Sequence, residues 1–157
     1  MAREEELKDI LAALGTVRDI EVKRERRLFA NLTPGDLVSV VRALKDKGLF
    51  HLSLITGRDT GETLTAFYHI NDGITTVTLR VAVTKNDPVV PSISDIYPGG
   101  IFYEKELESM FGFRVDGLEK GRRYPVMEDW PEGVYPLRKD FIPPTDPDLV
   151  KALPEEK

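Results

Sequence analysis

The chain has 157 residues, 41% of them hydrophobic, with a formal net charge of −5 and a pI near 5.2. That length and apolar share suffice for one domain with a real core plus a tail. The acidic balance argues against a nucleic-acid footprint, and no apolar run approaches the ~20 residues that a membrane span needs.

Cys is absent, which removes disulfides, thiolate metal sites, iron–sulfur ligation and cysteine nucleophiles together. His51 and His69 are the only imidazoles, too few for a histidine-rich metal site. The acidic start, Met1-Ala2-Arg3-Glu4-Glu5-Glu6, has no secretory apolar stretch, so cytoplasmic residence is expected. Charged residues make up 31%, Gln is absent and Asn is scarce, a hyperthermophile tendency.

In chain order, Leu7, Ile10, Leu11 and Leu14 fall at helical spacing before Gly15, a plausible helix terminator. Thr16 to Leu32 leans to strand but is crowded with charge, from Glu21 to Arg27, and reads as one exposed or edge strand with a break near Arg24. Thr33-Pro34-Gly35-Asp36 opens a helix, with Thr33 as N-cap and Pro34 at the first helical position. Its apolar stripe is Leu37, Val40, Val41 and Leu44, and Gly48 ends it. Three strands follow as a meander: Phe50 to Gly57, Thr63 to Ile70 and Ile74 to Thr84. Asn71-Asp72-Gly73 is a hairpin signal between the last two. A second helix spans Ile101 to Phe111 and is capped by Gly112. Tyr103, Leu107, Met110 and Phe111 share one face, with Glu104 and Glu108 on another. The order predicts an α+β fold with a mostly antiparallel, four-stranded sheet, helices packed on one face and an extended irregular C-terminal tail. The domain is expected over residues 1–113 and the tail over 114–157, with residues 116–157 protected only in a complex and the chain frayed from Pro143.

Catalytic chemistry is weakly represented. Glu104 and Glu108 sit on one helix face beside Lys105, which suits a solvated or interface-facing helix better than an acid–base dyad across a cleft. Gly99-Gly100 lacks the Lys-Ser/Thr of a phosphate loop, and Ser92, Ser94 and Ser109 lack a nucleophile-elbow context. The tail is more informative. Trp130-Pro131-Glu132-Gly133-Val134-Tyr135-Pro136-Leu137-Arg138-Lys139-Asp140-Phe141 cannot be a regular helix or central strand, because its prolines remove donors and force extended neighbours. Trp, Tyr and Arg are the usual interface anchors, so the segment is either a partner-binding strand or a tail folded back on its own domain. Trp130, Arg138 and Asp140 are the expected anchors.

These residues resemble a known family. Pro91-Ser92-Ile93-Ser94-Asp95-Ile96-Tyr97-Pro98, then Glu104-Lys105-Glu106-Leu107-Glu108-Ser109-Met110-Phe111-Gly112, then Trp130 through Phe141 are similar, in order and spacing, to the 30-kDa subunit family of respiratory complex I. The equivalent subunit of archaeal membrane-bound, energy-converting NiFe hydrogenases is the nearest form. Lys105 replaces the usual Arg and Ser109 an acidic residue, and of a Leu-Arg-Arg run only Arg122 and Arg123 carry over. The resemblance implies a non-catalytic peripheral-arm subunit on the cytoplasmic side of the membrane, without its own cofactor. It would dock the large catalytic and small iron–sulfur subunits, which would hold the NiFe centre and the iron–sulfur clusters. The partner-binding residues would be Glu104, Glu106, Arg122, Arg123, Trp130, Tyr135, Pro136, Leu137, Arg138, Lys139, Asp140 and Phe141. The alternatives are the 30-kDa subunit of NADH-quinone oxidoreductase or of a related ferredoxin-linked complex, a free regulatory adaptor, and a stand-alone α+β enzyme using Glu104 or Glu108. The electron donor or acceptor and the pumped ion are not written in this chain.

Overall fold

A computed structural model describes residues 3–143 of the protein. Helix α1 (Arg3–Ala13) buries Leu7 and Leu11, one turn apart, and ends at Gly15 with φ +70°. The charged stretch after it corrects the expectation of one strand. It folds into a hairpin, β1 (Arg18–Arg24) and β2 (Arg27–Leu32), turning at Arg26 with φ 62°. The apolar alternation that a strand needs exists only in its second half, where Leu28, Ala30 and Leu32 point inward. The charges before it lie on an exposed edge strand and the turn, where water solvates them.

The sheet therefore has five strands rather than four, in the order β1-β2-β5-β4-β3. Its other members are β3 (His51–Asp59), β4 (Thr63–Asn71) and β5 (Thr76–Thr84). Only the central β2–β5 pair is parallel; the remaining pairs are antiparallel, as the meander predicts. The crossover from β2 contains α2 (Leu37–Asp46), whose stripe Leu37, Val40, Val41 and Leu44 is buried as its spacing requires. Its start differs in detail. Pro34–Asp36 forms a 3₁₀ turn, and the Thr33 hydroxyl donates to Asp36 (2.6 Å) instead of accepting a backbone N–H. Strand β5 begins at Thr76, not Ile74, because Asp72 Oδ1 captures the N–H groups of Ile74 and Thr75 and holds them in the turn.

The core lies on one face of the sheet. Leu64, Ala66, Tyr68 and Ile70 of β4 stand opposite Val83, Val81, Leu79 and Val77 of β5, all buried. The helices contribute to the same cluster. Each fully buried Leu or Val there adds ~1.5–3 kcal/mol over exposure. The last helix, α3 (Gly100–Glu106), continues as a single π turn over Leu107–Phe111 and presses onto β3. The approach is close enough that a Cβ on Gly57 would meet the Phe111 ring at 2.6 Å. A short parallel pair, β6 (Val89–Pro91) and β7 (Arg114–Asp116), closes the loop that leads into α3 and brings residues 114–116 into the domain. The positions from 144 onward, with Met1 and Ala2, lie outside the described residues, and so does the fraying expected beyond Pro143.

Candidate functional site

The carboxylates of the last helix hold backbone. Glu104 is fully buried, which corrects the expectation of a solvated helix face. Its two oxygens accept from the Ser92 hydroxyl (2.7 Å) and the Ile93 N–H (2.7 Å). Burial pushes its pKa up; the Ser92 and Ile93 bonds oppose this, and the nearby Glu108 and Asp95 charges add to the rise. Glu108 accepts the Val115 N–H at 3.1 Å and so fixes β7. Glu106 is half-buried. The acidic side chains of Glu104 and Glu108 thus fasten the loops on either side of the helix instead of facing each other across a cleft. Tyr97 donates to the Leu49 carbonyl and Lys45 to the Ile96 carbonyl, pinning the same loop to α2.

The tail returns to this helix end. Gly112 terminates it in the left-handed region at φ 75° and leaves carbonyls exposed. Arg138 supplies the donors: its Nε reaches the Phe111 oxygen at 2.6 Å and an outer nitrogen reaches that of Gly112 at 3.4 Å. A cation at a helix C-terminus also meets the negative end of the dipole. The guanidinium lies over the Tyr135 ring at 4.4 Å, and the Leu137 N–H donates to Met110 O at 3.0 Å. A Cβ at Gly112 would sit 2.5 Å from Tyr135 and 2.7 Å from Arg138, so only glycine admits the strap.

A second anchor lies on β3. Asp59 accepts the Lys139 N–H (2.8 Å) and the Gly61 N–H (2.7 Å), and pairs with the Lys85 ammonium at 2.8 Å. Burial raises its pKa, but the Lys85 ammonium and the two N–H donors outweigh that and hold it at about 2. Lys85 also reaches Asp140 at 3.6 Å.

The remaining expected residues divide between local bonds and open surface. Trp130 is half-buried and donates to Val134 O at 2.9 Å. Arg123 donates to the carbonyls of Glu128 and Trp130, whereas Arg122 makes only an exposed pair with Glu128 at 3.3 Å. Pro136 and Phe141 are half-buried, and Lys139 and Asp140 project their side chains outward. Leu137 and Ile142 are exposed large apolar residues, as are Phe102, Tyr124 and Met127. Phe102 and Tyr124 pack edge to face, with ring centroids 5.6 Å apart. The structure therefore brings Tyr135, Leu137 and Arg138 together on the helix end, ties the Lys139 backbone to β3, keeps Glu104 inside, and leaves Arg122 apart. Sequence reasoning missed Asp59 and Lys85 and gave Ser92 no role beyond the family-like lead-in, whereas Gly112 was legible as the helix-capping glycine.

The chain forms an α+β domain with its tail strapped across it, and solved proteins share the α+β fold. The structure matches a chain of the membrane-bound sulfane sulfur reductase, an archaeal respiratory membrane complex, with a TM-score of 0.80 and 27% identity over 94% of this chain and 88% of that one. The trypsin-resistant fragment of Nqo5 has the same fold, with a TM-score of 0.65 at 22% identity over 77% of this chain and all of that one.

The chain belongs to the family described as the respiratory-chain NADH dehydrogenase 30 Kd subunit, matched over residues 30–147. Among curated relatives it is 33% identical to the membrane-bound hydrogenase subunit beta of Pyrococcus furiosus, over 77% of this chain and 66% of that protein. It is 36% identical to the NAD(P)H-quinone oxidoreductase subunit J of Synechococcus sp. (strain RCC307), over 67% of this chain and 64% of that protein. The match thus spans about two thirds of the length of these relatives.

Proposed function

We propose that this protein is a non-catalytic, peripheral-arm subunit of a membrane-bound respiratory complex of the energy-converting NiFe hydrogenase type. It docks the large catalytic subunit and the small iron–sulfur subunit on the cytoplasmic face. The observation that carries the reading is the strap. Arg138 and Asp59 fix residues 135–140 on the domain, so that Leu137 and Asp140 are presented outward on a preformed ridge. A preformed ridge lowers the ordering cost of association. Two further relatives support a domain that works joined to another. The match covers 12% of formate hydrogenlyase subunit 5 of Escherichia coli and 20% of an NADH-quinone oxidoreductase subunit of Phocaeicola vulgatus, so in each it is one part of a longer polypeptide. With no Cys, this protein leaves any cluster or nickel to be ligated by other subunits.

The second reading, the 30-kDa subunit of an NADH-quinone oxidoreductase, is favoured by the family match and by a 30% identical NADH-quinone oxidoreductase subunit from Nocardioides sp. over 87% of this chain. Native purification of the tagged full-length protein from its own cells separates them. The hydrogenase-type reading predicts nickel and iron in the co-purifying subunits and no NADH oxidation. NADH oxidation without nickel supports the second reading, and recovery of the protein alone contradicts both.

A further inference from the structure

The face of the sheet turned away from the helices has an uneven chemistry. Strand register places its side chains in rows. Phe29, Thr78, His69 and Leu54 form one row, and Asn31, Arg80, Phe67 and Thr56 the next. Arg27 and Arg58 lie on the same face at opposite ends. None of the open-face positions of β2, β5, β4 and β3 is acidic, although the protein as a whole carries −5. Two carboxylates of β1 border this face: Asp19 accepts the Asn31 side-chain amide at 2.7 Å, and Glu21, opposite Phe29, pairs with Lys23.

Arg80 is the centre of this surface. Its guanidinium lies 5.5 Å from the Phe29 ring centroid, and Phe67 stands directly across on β4. Its Nε is buried and has no hydrogen-bond partner among the described residues. Burial closes Nε to an incoming group, so a carboxylate arriving at this face would meet the terminal nitrogens of the guanidinium in charge-assisted hydrogen bonds. Phe29 and Phe67 are half-buried, and Leu54 and Thr56 are exposed. The four strands span roughly 14 Å at ~4.8 Å per gap, wide enough for one helix or extended segment.

We propose that this open face is a second docking surface, where an acidic segment of a partner protein seats a carboxylate on Arg80 between Phe29 and Phe67, steered by Arg27 and Arg58. The proposal rests on the subunit reading. It uses a different face from the strapped tail, so the protein would be held on two sides. The acidic balance of the whole molecule disfavours nucleic acid as the occupant.

The test is native purification of the tagged full-length protein as wild type, as Arg27→Glu with Arg58→Glu, and as Lys8→Glu on the helical side. Recovery of partner subunits should fall about tenfold for the double reversal and stay unchanged for Lys8→Glu, with the melting of each isolated protein unaltered. If the wild type recovers no partner, the subunit reading itself fails. If the wild type and the double reversal recover partners equally, only this surface is refuted. Should the double reversal unfold the protein, a photo-crosslinking residue at exposed Thr56 decides. Crosslinks to an Asp/Glu-bearing peptide of a co-purifying subunit support the surface. Crosslinks to nucleic acid, to a second copy of this protein, or to nothing overturn it.

Discussion

At the scale of single residues, Asp59 and Glu104 show how burial alone does not fix the sign of a charge's contribution. The Asp59 side chain is 1% exposed and still ionises readily, because an ammonium and two N–H groups converge on it. Its folded pKa of about 2 lies below the ordinary 3.8. Its stabilisation is therefore complete above the unfolded value and is lost as pH falls from about 4 to about 2. At 1.36 kcal/mol per pKa unit this is worth about 2 kcal/mol. Asp59→Asn should abolish that acid-limb dependence and free the Lys139 end of the strap, as denaturant melts across that pH window would read.

Glu104 has the opposite sign. Its folded pKa is raised, so the ionised group costs stability above that pKa, and the cost is relieved as pH falls toward the unfolded value. Glu104→Gln keeps an acceptor for the Ile93 N–H and should be near neutral or stabilising at pH 7, with a flatter pH profile. Glu104→Ala strands that N–H and should cost ~1–3 kcal/mol.

Among the elements, the end of α3 is the piece on which most others depend. Phe111 fills the space that Gly57 leaves, and Gly112 turns the backbone under Tyr135 and Arg138. Gly112→Ala would force a left-handed alanine, at ~1 kcal/mol, into contact with both side chains. Hydrogen exchange at the Leu137 and Lys139 amides should rise sharply in this variant while the β4–β5 amides stay protected. Equal loss of protection in both regions would mean that the tail and the sheet unfold as one unit. The long, periodic elements were legible in the sequence: the α2 stripe, the meander and the helix that begins with α3 all follow from apolar spacing. The β1–β2 hairpin was not, because charge on both sides of its turn hides the alternation of β2. The inward turn of Glu104 was hidden too. An i,i+4 carboxylate pair on a helix usually marks a solvated face, and its partner, Ile93, lies in a loop without periodicity.

For the whole molecule, the strap joins positions that sequence reasoning cannot connect. Asp59 and the Lys139 amide are 80 residues apart, and Asp59-Thr60-Gly61 reads locally as an ordinary turn. The extended, proline-rich nature of the tail was legible from its prolines and aromatics; which of its residues bind inward was not. Trp130 bonds locally to Val134, and Arg138 is turned toward its own domain. Arg138→Ala should therefore lower assembly by releasing the ridge, and should also lower the stability of the isolated protein by ~1–3 kcal/mol. Leu137→Ala, at an exposed position, should change stability by no more than ~0.5 kcal/mol while weakening recovery of partners.

The central claim is that the tail is ordered on the domain before any partner arrives and then docks. Amide hydrogen exchange of the full-length protein, measured alone and within the natively purified complex, tests it most directly. The Leu137 and Lys139 amides should already be protected in the free protein, and residues 130–142 should gain further protection in the complex. Exchange at unstructured-chain rates throughout 135–139 in the free protein, or no added protection of 130–142 on assembly, would contradict it.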